Sequence, residues 1–229
     1  MPTVTHSRRS RLSGGFTLNE LVVSIAILAL LMSLLIANFQ RGRLSDDLRV
    51  SAQNLAANLR RMQNLSTVGQ SVMTGTGERV PPGGYGVSME WTTTGSYELF
   101  ADVARRPVLG NCQSTTPADA NSEYEEGIDC DALVEAQTVS LRPDVVFWAV
   151  QVGTGVTTQF GSGSWTGGPS GDNDERVDIA FKPPKPIPYL DGTSGISFRI
   201  ELKHMRTNQT RTIIVIGASG QISERAGSI

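Results

Sequence analysis

The sequence predicts an α+β fold: a long N-terminal α-helix, transmembrane in its first half, packed on a C-terminal antiparallel β-sandwich-like domain. Three observations lead there. From Leu21 to Ala37 the only polar side chains are Ser24 and Ser33. From Leu44 to Met62 apolar residues recur every three or four positions, the period of a one-sided helix. After Gly77 the period shortens to two, as in half-buried strands.

Residues 1–15 form a short leader holding Arg8, Arg9 and Arg11 and no acid. Lys and Arg favour the cytoplasmic side, so the leader faces in and the chain beyond Phe39 faces out. Residues 16–39 are the expected transmembrane helix, because about 20 apolar residues cross the hydrocarbon core. A secretory signal carries its small-residue cleavage site after the apolar run. Here Gly14-Gly15 precede it, and no such site follows Ala37. Glu20 is a lone carboxylate at the lip of the span. An unpaired charge within a bilayer costs about 2.5–3.5 kcal/mol on insertion scales, so Glu20 requires a partner. Cleavage after Gly15 would leave Phe16 with a free α-amine, which could meet Glu20 of a neighbouring subunit.

Gly15-Phe16-Thr17-Leu18-Asn19-Glu20-Leu21 resembles the cleavage signal of type IV prepilins and type II secretion pseudopilins. The resemblance implies that a membrane prepilin peptidase cuts between Gly15 and Phe16 and methylates Phe16. It places Glu20 at the fifth mature position, with Phe16 and Glu20 as the assembly residues. It further implies a bacterial inner-membrane, single-pass location with the C-terminal domain periplasmic or extracellular. The partners would be other pilin or pseudopilin subunits and an inner-membrane assembly platform. The alternative to the resemblance is an ordinary signal anchor.

Residues 40–68 are read as an amphipathic continuation of the helix. Leu44, Leu48, Ala52, Leu55, Leu59 and Met62 form its apolar stripe, and Gly69 ends it. A helix from Thr17 to Val68 would measure about 75 Å at the ~1.5 Å rise per residue. Its second half needs a sheet to cover the stripe.

Residues 78–229 are expected to be a β-rich globular domain. Strand-like alternation runs through 85–89, 97–103, 138–142, 145–152, 176–181, 195–203, 211–216 and 221–223, about eight strands. Residues 104–136 and 153–175 look like insertions. Lys182 to Pro188 is too proline-rich for a central strand and is expected to be an extended surface connection. Tyr85-Gly86-Val87, Phe181-Lys182-Pro183, Ile196 to Leu202 and Ile213-Ile214-Val215 with Gly220-Gln221-Ile222 resemble the minor pilin and minor pseudopilin branch. Members of that branch that act in DNA uptake carry Gly-Arg-x-Arg after the penultimate strand. The matching positions here are Gly220, Gln221, Ile222 and Ser223, without either arginine. Arg225 lies off the pattern, so direct nucleic-acid binding is not expected.

The formal net charge is −2, and loss of the three leader arginines would make it −5, no general footprint for nucleic acid. Cys112 and Cys130 are a candidate disulfide closing a loop of 17 residues in an oxidising compartment. Two free thiols in a reducing one are the alternative. Residues 117–131 and 171–175 are acidic, and solvated surface is the simpler reading of both. The alternative is calcium held by Asp172, Asp174 and Glu175, although the spacing is not that of an EF-hand loop. No other cofactor is expected. His204 is the only histidine outside the leader, and no phosphate loop, dinucleotide fingerprint or zinc motif is present. No enzyme is expected. The leading expectation is a minor pilin or pseudopilin, a structural subunit of a type IV pilus or type II secretion pseudopilus. The alternative is a pilus-tip binding module for DNA or a surface ligand.

Overall fold

The computed structural model describes residues 17–74, 77–90, 93–103, 132–153, 155, 157–160, 176–184 and 187–228. The chain is α+β, with an N-terminal apolar helix and an antiparallel β region after it. Helix α1 runs Leu18–Val68, 51 residues. Thr17 starts it: its Oγ1 accepts the Glu20 amide at 3.3 Å, and its carbonyl accepts the Leu21 amide at 3.1 Å. This is N-capping by a threonine, and Thr-x-x-Glu is the sequence signature of a capping box. Gly69, at φ 65°, stops the helix. Its amide reaches Ser66 O at 3.2 Å, and the Gln70 amide reaches Leu65 O at 3.1 Å. These are the paired bonds of a Schellman motif, which a left-handed residue permits.

The chain divides into two compact units, Met1–Arg43 and Leu44–Ile229. In the second unit the α1 stripe is the core face: Ala52, Leu55, Leu59 and Met62 are fully buried. Strands β1 (Val72–Thr74) and β2 (Gly77–Arg79) form a two-stranded ladder. Then follow β3 (Gly84–Glu90), β4 (Ser96–Asp102), β5 (Ala132–Ser140) and β6 (Val145–Val152). Next come β7 (Thr157–Gln159), β8 (Arg176–Lys182), β9 (Ile187–Leu190) and β10 (Thr193–Ser194). The chain ends with β11 (Phe198–His204), β12 (Thr210–Val215) and β13 (Ile222–Ala226). One sheet has the order β10-β9-β8-β3-β4-β5, the other β13-β12-β11-β6-β7.

Side chains alternate between sheet faces. Tyr85, Val87 and Met89 of β3 therefore share the core with Val177, Ile179 and Phe181 of β8. Phe198, Ile200 and Leu202 of β11 join the same cluster from the other sheet, as do Leu55 and Leu59 of α1. One continuous hydrophobic core thus unites the second half of α1 with both large sheets.

Several strand expectations need correction. The stretch expected at 138–142 is β5, which begins at Ala132, inside the presumed insertion 104–136. Its start pairs with β4 through Ala101↔Ala132 and Phe100↔Leu133, beyond a register shift between Glu98 and Phe100. A pairing of that range is invisible to local alternation. The proline-rich connection also contains a strand: Pro188 lies in β9 and is buried. Asp191 N bonds Asp178 O at 2.9 Å, which puts Pro188, opposite Phe181, at a non-hydrogen-bonded site toward β8. On its other side Pro188 uses only its carbonyl, accepting Gly195 N at 3.1 Å.

Candidate functional site

The first candidate surface is the apolar part of α1. Leu18–Ile36 is long and apolar enough to cross a membrane, and none of it is buried. Its large side chains from Leu21 to Ile36 are each 51–63 % exposed, so no face is singled out as already covered. A helix apolar all round is stable only in lipid or among other helices. The two hydroxyls in the run bond back to the helix: Ser24 Oγ donates to Glu20 O at 2.7 Å, and Ser33 Oγ to Leu30 O at 2.8 Å. Both donors are thereby satisfied without water.

Glu20 is exposed in the first turn of α1. Its backbone amide is spent on the Thr17 cap, while the side chain adds a negative charge where the helix dipole is positive. The sequence reading missed this local role, although Thr-x-x-Glu signals it. Gly15 and Phe16, the expected cleavage, methylation and assembly partners of Glu20, lie outside the described residues.

Cys112, Cys130, Asp172, Asp174 and Glu175 also lie outside the described residues. Among the described residues no group of three or more His, Cys, Asp or Glu side chains could hold a metal ion. His204 is fully buried at the end of β11. Its Nδ1 accepts Arg206 N at 3.2 Å, and its Nε2 has no hydrogen-bond partner among the described residues.

The Gly220–Ser223 stretch is structural in this chain. Gly220, at φ 65°, forms the tight turn into β13. Its carbonyl accepts Gln63 Nε2 at 2.9 Å, and the Ile222 carbonyl accepts Arg60 Nη2 at 3.0 Å. Two side chains of α1 thus clamp the start of β13. Elsewhere Asn58 Nδ2 donates to Tyr97 Oη at 2.7 Å, and Tyr85 Oη donates to Gln70 O at 2.5 Å. Burial pushes the Tyr85 phenol up to about 12. Burial also raises Tyr97, against the opposing pull of the Asn58 bond.

No family model, curated protein or solved structure matches the chain.

Proposed function

We propose that this chain is a minor pilin or pseudopilin, a structural subunit of a type IV pilus or type II secretion pseudopilus. The observation that carries the reading is the order Gly15-Phe16-Thr17-Leu18-Asn19-Glu20 between an arginine leader and an apolar run. The exposed apolar helix Leu18–Ile36 supports it, since such a surface demands lipid or neighbouring helices.

In this reading residues 16–39 span the bacterial inner membrane. A prepilin peptidase cuts after Gly15 and methylates Phe16. The Phe16 amine of one subunit then meets Glu20 of the next, which neutralises both charges and sets the register between helices. The C-terminal region, a β-sandwich-like body, stands on the periplasmic or extracellular side. The work is mechanical, and no catalysis is assigned.

Intact mass and N-terminal sequence, with and without a prepilin peptidase, test the route. The expected product begins at N-methylated Phe16. An uncut chain, or one cut after the apolar run, overturns the proposal. Glu20→Ala is expected to preserve insertion and cleavage while impairing incorporation into filaments. Normal incorporation of that variant removes the assigned role of Glu20.

A further inference from the structure

Helix α1 carries the signals of a helix end and a helix start in its own interior. Gly42 lies within it, and a Cβ at that position would meet nothing within 4 Å. Packing therefore does not ask for glycine here. Nor does the backbone, which is helical at this residue. Glycine is the weakest interior helix former after proline, because it has the most backbone freedom to lose. What glycine offers instead is the left-handed residue that closes a helix, the role Gly69 plays at φ 65° at the far end of α1.

The residues around Gly42 fit such an ending. Arg41 precedes it, a cation where a helix C-terminus is negative. Three residues beyond it stands Ser45, followed by Asp46 and Asp47. Serine is a preferred N-cap, and carboxylates in a first turn suit the positive end of a helix. Inside an unbroken helix the same residues are a cost, since their side chains compete for backbone amides.

The stretch also lies between two covers and under neither. The apolar run that could cross a membrane ends at Ile36. Among the described residues, Leu48 is the first buried residue of α1. Residues 42–47 are exposed or half-buried, and the boundary between the two compact units falls after Arg43. Most helical stability in proteins comes from tertiary packing of one face, so this turn rests mainly on its own backbone ladder.

We infer that α1 is a two-state helix. One state is the continuous helix of the structure. In the other it is broken at Gly42–Leu44, with Gly42 closing the first helix and Ser45 capping the second. The break is a built-in joint: the apolar run can repack in lipid or among other helices while the core face from Leu48 onward keeps its place. The inference does not depend on the filament role, because any anchored chain could use the joint.

The test is hydrogen–deuterium exchange of the full chain in detergent, read by mass spectrometry with fragmentation to single residues. In the broken state the amides of Leu44 to Leu48 lose their partners in the preceding turn. They should exchange at least about tenfold faster than those of Ala52 to Leu59, which sit in the core half of the helix. Gly42→Ala and Ser45→Ala should each slow that exchange about fivefold, the first by favouring the continuous helix and the second by removing the cap of the broken one. Asn54→Ala, at an exposed position further along α1, should leave it unchanged. Equal protection of the two stretches overturns the inference, because the helix then does not break. Exchange unmoved by either Gly42→Ala or Ser45→Ala overturns it too. So does equal slowing by Asn54→Ala, which would reduce the effect to general helix propensity.

Discussion

Replacing Leu55 by alanine separates the two halves of α1 energetically. Leu55 is fully buried, in one cluster with Val87 of β3 and Ile200 of β11. Truncating such a leucine removes its transfer free energy and leaves a cavity, typically about 3 kcal/mol and up to ~5. For a chain of this size, about 2–4 °C is lost per kcal/mol, so Leu55→Ala should lower the melting temperature by roughly 6–12 °C. Leu28 provides the comparison. It is 57 % exposed in the apolar run and makes no core of its own. Leu28→Ala should leave the melting of the β region unchanged. The assay is thermal unfolding of both full-length variants in the same detergent, followed by near-UV circular dichroism and tryptophan fluorescence. Equal shifts, or a Leu55→Ala shift below about 2 °C, would refute the reading that only the second half of α1 belongs to the core.

Gly84→Ala should cost more than about 2 kcal/mol in urea unfolding, because the backbone strain and the clash act together. Gly84 sits at φ +99°, and an added Cβ would lie 2.0 Å from the Phe181 carbonyl oxygen. An unchanged urea midpoint contradicts this. Alkaline stability should fall from pH 10 upward, since Tyr85 titrates near 10 unfolded but near 12 folded. In that window the unfolded chain loses its phenolic proton first, so stability declines by at most ~1.4 kcal/mol per pH unit per tyrosine and levels off above 12. Melts from pH 9 to 12 should show a flatter decline for Tyr85→Phe than for the parent, and identical slopes count against it. Thr17→Ala should cost the first turn about 1 kcal/mol through loss of its cap. Faster amide exchange at Leu18 to Glu20 checks it, and unaltered exchange assigns the cap no role.

How far each feature could be read in advance depends on the range of the forces behind it. The stripe of Leu48, Ala52, Leu55, Leu59 and Met62 was legible because helix periodicity is local, and these residues are buried. The glycine stop at Gly69 was legible for the same reason, since one left-handed residue closes the helix. The start of β5 at Ala132 was not, because its partner Ala101 lies on a distant stretch of chain. Pro188 misled, because a proline is excluded from a strand only where its N–H is needed, and register alone decides that. The carboxylate of Glu20 was singled out from its surroundings in sequence, whereas its amide bond to Thr17 was overlooked although equally local.

The sequence by itself determined the apolar helix and most of the alternating strands after it, since each follows from period and composition within a few turns of chain. It also singled out Gly15, Phe16 and Glu20, because six ordered positions make a motif without any contact between distant residues. Only the tertiary structure decided which strands are neighbours. Ser88, Glu98, Thr138 and Asp178 are ordinary polar positions in four separate strands, and nothing local relates them. Strand pairing sets them in one row on the outer face, because register is chosen by the whole buried face and a slip of one residue would turn each of them into the core.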